Sequence, residues 1–293
     1  MSPHVASVLR SPMRRNALPQ YSRRGHSHND YHQNDPLSSA LRHGINSIEV
    51  DVFPRRDQLW VGHTMFELDG SRTIDKMYIR PILQLLRQTG QRRAASVLSP
   101  FERAVAESGT NHASLGSLMN HEDDALTLLV DFKADAEKSV ALLQEAIAPL
   151  RPYLTRVDKD GNIHRGKLVV LVSGNRPKAS SLVSSRGDRF IFIDGRVNDI
   201  ERGTSSSLVP LVSIPWRRLQ LAKLFGRGED YMQDVVGKAH RQGKRLRIWG
   251  APNKEVAWSL MLRNNVDLLS VDDHSRFTDF VSSYRSKNRW RGK

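Results

Sequence analysis

No cysteine occurs anywhere in the 293 residues, so disulfides, zinc–thiolate sites and thiol nucleophiles are all excluded. No apolar run approaches the roughly twenty residues needed to span a bilayer. No apolar segment follows the N-terminus as it would in a secretory signal. A Walker loop, a G-x-G-x-x-G turn and a G-x-S-x-G nucleophile elbow are likewise missing, which removes the commonest nucleotide-binding and serine-hydrolase readings. Acidic residues are scarce: 31 Asp and Glu stand against 45 Lys and Arg, a formal charge of +14. That balance attracts polyanions such as phospholipid surfaces, phosphorylated substrates or nucleic acid. The bland alternative is a basic solvated surface with nothing bound. The Lys/Arg clusters lack zinc-finger or RNP1 context, which argues against nucleic acid as a partner. The first 29 residues contain no acid; their Arg and Ser content suits either a mitochondrial targeting segment or a disordered basic tail. Pro3, Pro12, Pro19 and the absence of periodicity favour the tail, over residues 1–22.

What remains is an ordinary globular composition, 39% hydrophobic and 26% charged, with neither an internal repeat nor a coherent linker. One domain over residues 23–285 is expected, followed by a basic C-terminal tail over 286–293. Short apolar runs at 23–29, 46–53, 126–132, 168–172, 190–194, 208–214, 245–249 and 266–271 read as eight strands, and 59–63 as a short strand paired with the second. Helical spacing recurs between them at 36–43, 79–88, 136–150, 230–242 and 254–264, with a further helix expected at 100–109. Eight alternating β and α segments predict an irregular (β/α)8 TIM barrel, although open doubly wound sheets share the pattern. The irregularity is expected between Asp194 and Leu208, where the connection is short and rich in Gly and Ser.

Residues 47–53 read SIEVDVF, a strict alternation with Ile48, Val50 and Val52 on one face and Glu49 and Asp51 on the other. Two carboxylates so close repel unless a divalent cation lies between them, since hard cations take oxygen ligands. The competing reading is an exposed strand face with two solvated acids. Asp131, ending the next apolar strand, would complete an oxygen-rich site for one Mg²⁺ or Ca²⁺. Lys133 would point the same way and either neutralise a phosphoryl oxygen or pair with one of these acids. His28 precedes the acidic pair and His63 ends the strand after it, an arrangement suited to acid–base work on a phosphate ester. Asn29 and Asp30 could fix the His28 tautomer or assist the metal, while His26, His32 and His43 read as surface residues. Asp194, Trp249, Asp272 and Asp273 end later strands, where barrels of this kind carry their chemistry. The run DKDGN at 158–162 starts like a calcium loop, but Val169 stands where the final Glu would be, so it reads as a turn.

Assembled, these residues resemble the phospholipase C-like phosphodiesterases. The more specific likeness is to the fungal altered inheritance of mitochondria protein 6 family and its bacterial relatives. The motifs carrying it are His28-Asn29-Asp30-Tyr31, Pro36-Leu37, Glu49-Val50-Asp51-Val52 and residues 59–63. Further along come Tyr78-Ile79-Arg80-Pro81, residues 173–177, Asp194-Gly195-Arg196, Arg247-Ile248-Trp249 and Asp272-Asp273. The resemblance implies a metal-dependent phosphoric diester hydrolase acting on a phospholipid or phosphodiester headgroup, with an irregular barrel fold. It implies His28 and His63 as the catalytic pair, with His28 favoured as base. It further implies Glu49, Asp51 and Asp131 as metal ligands with Lys133 contacting phosphate; Asn29 and Trp249 are expected against the substrate beside it. Glycerophosphodiesterases carry His-Arg-Gly followed by Glu-Asn-Thr, and this chain has neither that Arg nor that Glu. The alternative is a non-catalytic protein that binds phospholipid headgroups or an anionic membrane surface.

Overall fold

In the computed structural model, residues 24–94, 125–182, 187–224 and 226–289 are described. The expected N-terminal tail and the helix at 100–109 lie outside them. Eight parallel strands close into a barrel: β1 (Gly25–Ser27), β2 (Ser47–Arg55), β4 (Leu126–Phe132), β7 (Leu168–Gly174), β8 (Ile191–Gly195), β9 (Leu211–Pro215), β10 (Arg245–Trp249) and β11 (Leu268–Val271). β1 joins β11 on one side and β2 on the other, which seals the ring. β3 (Gln58–Val61) adds an antiparallel strand to β2, as the second short apolar run predicted. The DKDGN run is the turn between two two-residue strands, β5 (Arg156–Val157) and β6 (Ile163–His164).

The helices are α1 (Ser38–Arg42), α2 (Arg80–Ala94), α3 (Ala136–Ala146), α4 (Ala179–Leu182), α5 (Val197–Glu201), α6 (Trp216–Leu224), α7 (Gly228–Arg241), α8 (Glu255–Arg263) and α9 (His274–Arg289). Gly44, at φ +72°, ends the α1 turn in the left-handed conformation expected of a C-cap. Asp135 caps α3 by accepting from the Lys138 amide at 3.1 Å. Between β8 and β9 the connection holds only the five-residue α5, so the irregularity falls where the short Gly/Ser-rich stretch put it. α9 runs past the expected start of the C-terminal tail, to Arg289. No helix among the described residues is long and apolar enough to cross a membrane.

The period-two alternation of the strands sorts residues between two cores. Ile48, Val50, Val52, Leu128, Val130 and Phe132 point outward against the helices and are fully buried. Burying each of these side chains contributes about 1.5–3 kcal/mol. A smaller apolar plug inside the barrel holds Leu129, Leu171, Phe192, Leu211 and Leu268. The inward positions nearer the C-terminal strand ends are polar, and the catalytic chemistry of this fold sits at that end.

Candidate active site

Parallel pairing places Asp51 directly beside Asp131, and Asp131 beside Ser173. All three side chains therefore share the inner face at one level. Glu49 lies one inward step below Asp51 on β2. Glu49 and Asp51 are both buried, which overturns the reading of two solvated carboxylates. Single oxygens of Glu49, Asp51 and Asp131 come within 4.8 Å of one another.

Each acid is held differently. Three donors converge on Asp51 Oδ2: Tyr31 Oη, His63 Nδ1 and Lys133 Nζ, each at 2.8 Å. The other oxygen, Oδ1, is equally buried and has no hydrogen-bond partner among the described residues. A buried carboxylate oxygen left unpaired is costly, and a cation between the three acids is the group that would satisfy it. Lys133 also reaches Asp131 Oδ1 at 2.9 Å, so it is both aimed at the cluster and paired with it. Burial raises the pKa of Asp131, and the lysine only partly opposes that. For Glu49, burial also works upward, but the guanidinium of Arg247, bonded to Oε2, holds the carboxyl well below the usual range. His26 Nε2 donates to the same oxygen at 3.1 Å while Nδ1 accepts from Ser47 Oγ at 2.7 Å. Burial pushes the His26 pKa down to about 3, helped by Arg247, so the ring is neutral.

The two flanking histidines are built alike. His28 Nδ1 donates to Asp272 Oδ1 at 2.9 Å, and His63 Nδ1 donates to Asp51. A carboxylate can only accept, so each contact fixes the proton on Nδ1 and leaves Nε2 for chemistry. Burial alone would lower the His28 pKa; the Asp272 hydrogen bond and the charge of Glu49 outweigh it and leave it raised. Asp272 is itself positioned by Asn253, which bonds it through Nδ2 and accepts its amide.

Asp30 does not serve His28. It accepts from Ser27 Oγ at 2.6 Å, the Leu37 amide at 2.6 Å and Tyr78 Oη at 2.9 Å, pinning the turn after β1. Asn29, at φ +47°, carries the chain out of β1 in a left-handed turn. Asp273 caps the start of α9 through the Arg276 amide.

One cavity of about 430 Å³ connects these groups. His28, Asn29, Glu49, His63, Asp131 and Lys133 form one wall. Across the mouth the other wall comes from the ends of β7 to β10, and includes Asp194, Arg247 and Trp249. All eight residues assigned from the sequence thus meet in one place, Asp51 lying directly behind the lining.

A family model described as an AIM6-like phosphodiesterase domain matches residues 15–194, more than half of the chain. The chain belongs to the AIM6-like phosphodiesterase family. An altered inheritance of mitochondria protein 6 homolog from Arthroderma benhamiae is 30% identical over 273 residues, spanning 85% of this chain and 80% of the relative. Altered inheritance of mitochondria protein 6 from Eremothecium gossypii is 28% identical over 288 residues, spanning 88% and 69%. Among solved structures, a glycerophosphodiester phosphodiesterase from Parabacteroides distasonis superposes with a TM-score of 0.54 at 9% identity, covering 89% of this chain and 98% of that one. At that identity the likeness is one of barrel fold.

In this AIM6-like protein, sequence reasoning gave no role to His26 and Arg247, which brace Glu49, or to Tyr31, which braces Asp51. His26 was expected at the surface, yet it is fully buried. The signal for it was parity: His26 in β1 and His28 just past its end share one face, and Arg247 and Trp249 share one face of β10, so all four point inward.

Proposed function

We propose that this protein is a metal-dependent phosphoric diester hydrolase acting on a phospholipid or another phosphodiester headgroup, with His28 and His63 as its acid–base pair. One observation carries the reading: three inward carboxylates converge at the barrel mouth, one with a buried unpaired oxygen, between two carboxylate-tethered histidines. Glu49, Asp51 and Asp131 would hold one Mg²⁺ or Ca²⁺, both of which prefer oxygen ligands. Such an ion, when bound, offsets the charge that builds on a non-bridging phosphate oxygen.

The chain's own groups do the rest. His28, made more basic by Asp272, takes a proton at Nε2 from water or a substrate hydroxyl. His63, oriented by its Nδ1 bond to Asp51, gives one to the leaving oxygen. Lys133 faces a phosphoryl oxygen, Asn29 offers an amide at the same wall, and Trp249 presents an exposed ring at the mouth.

The test is ³¹P NMR on a panel of glycerol-, inositol- and choline-containing phosphodiesters, with Mg²⁺ or Ca²⁺ and a chelator control. A phosphomonoester or cyclic-phosphate signal that chelator removes is expected, and His28→Ala or His63→Ala should each slow its appearance by about 10²–10⁴. Full activity in either variant would end the acid–base assignment. Met65 and Phe66, two and three residues beyond His63, are 60% and 100% exposed. That rim favours peripheral contact with an anionic membrane, and the non-catalytic alternative would take over if such contact occurred with no turnover.

A further inference from the structure

The wall facing the carboxylates carries cations that the reaction does not use. Lys133 is engaged by Asp51 and Asp131, and Arg247 by Glu49. His28 and Asp272 form a pair of their own. Arg196, Arg217 and Arg218 line the same cavity. Arg196 spends one nitrogen on a neutral acceptor, the Gly174 carbonyl at 2.9 Å, and Arg217 and Arg218 have no carboxylate partner among the described residues. Both are exposed, and both sit in the first turn of α6, where the helix dipole already disfavours positive charge. No carboxylate among the described residues offsets that placement.

Charge balance gives the surplus a meaning. Glu49, Asp131 and Asp194, with Asp51 behind the lining and Asp272 beside the neutral His28, stand against Lys133, Arg247 and the three wall arginines. Burial raises the Asp194 pKa to about 6, with Arg247 pulling the other way. A divalent cation on the carboxylates would create a positive excess, and a phosphodiester supplies only one negative charge. The remaining excess suits a second anion and opposes a quaternary ammonium, although Trp249 alone would have welcomed one.

Resting on the hydrolase reading, we infer that the preferred substrate carries a second anionic group on its headgroup, a phosphomonoester or a carboxylate, bound by Arg217 and Arg218 across the mouth from the three carboxylates. Arg196 lends charge from beside them. Guanidinium forks are the side chains that recognise such groups bidentately.

Calorimetric titration in Mg²⁺ buffer separates this from the alternatives, with glucose 6-phosphate, glucose 1,6-bisphosphate and phosphocholine as probes. The bisphosphate should bind about tenfold or more tightly than the monophosphate, the size of one charge-assisted contact. Its advantage should shrink as salt is raised. R217A/R218A lies on an exposed helix face and should erase that advantage, bringing the bisphosphate down to the affinity of the monophosphate. Equal affinity for the two sugar phosphates, an advantage that survives in the double variant, or tighter binding of phosphocholine would each overturn the inference. The titration involves no turnover. A bisphosphate preference with a ³¹P panel that stays silent even when it includes a phosphodiester bearing a second phosphate would therefore sink the hydrolase reading and leave the anion subsite standing.

Discussion

In the proposed mechanism, the pairing of His28 with Asp272 is the contact that sets the pH behaviour of the site. A base must be unprotonated to act, so activity should appear as pH rises through the His28 pKa, which this contact holds above its ordinary value. Asp272→Asn removes the charge that raises it. The acid limb of the kcat/KM profile should therefore move to lower pH, and the plateau should fall because the ring is held less firmly. A pH–rate profile checks this; an acid limb left in place would show that another group sets it. Asp272 was legible in the sequence as a polar residue ending a strand and as part of a motif that carried the resemblance, with no role attached. Its partner could not be named, because 244 residues separate the two, and barrel closure alone brings them together.

At the scale of the element, the end of β7 shows how closely one strand constrains the next. Gly174 has φ +67°, and a Cβ there would lie 2.5 Å from both Asp131 Oδ1 and the Phe132 carbonyl. Backbone conformation and space both demand glycine. Gly174→Ala should destabilise the fold by roughly 1–3 kcal/mol. It should also weaken cation binding by displacing Asp131. Denaturant unfolding and a Mg²⁺ or Ca²⁺ titration read the two effects separately, and unchanged ion affinity would place Asp131 outside the ligand set. Elements themselves were well marked in the sequence. The alternation of 47–53 put Ile48, Val50 and Val52 against Glu49 and Asp51 on the correct faces, since strand parity needs no tertiary information. The eight apolar runs fall on the eight barrel strands for the same reason. Their ends shifted by a few residues: the run at 208–214 becomes Leu211–Pro215, because Leu208 and Val209 are turned back by bonds to Ser205. The expected 136–150 helix breaks into α3 and a 3₁₀ stretch, Ala148–Tyr153, which contains two prolines.

For the whole molecule, the ring closes around a buried charge network. Arg247 of β10 bonds Glu49 of β2, and His26 of β1, the strand that joins the ring's ends, bonds the same carboxylate. Arg247→Met would leave Glu49 buried without its guanidinium. The expected cost is about 3–5 kcal/mol, the usual result of stranding one partner of a buried pair. A loss under about 1 kcal/mol by denaturant unfolding would mean that water reaches Glu49 freely and the pair is a surface one. Outside the ring, the charge of +14 and the exposed Met65 and Phe66 predict binding to vesicles rich in anionic lipid. Sedimentation with such vesicles should fall as salt is raised and should be weakened further by Phe66→Ser. Binding that ignores both salt and Phe66 would dismiss this face as the contact.

Sequence alone determined the order of strands and helices, the inward carboxylates and the motif histidines, because these follow from local periodicity and residue chemistry. It also carried the family. Only the tertiary structure decided what each polar group faces. Closing a ring of parallel strands sets Asp51 beside Asp131, His28 against Asp272, and Arg247 on Glu49 across 198 residues. It also sets the wall arginines opposite the carboxylates. Those pairings depend on strand register and barrel closure, long-range properties that no local pattern encodes, and they are what turn a list of acids, bases and cations into a site.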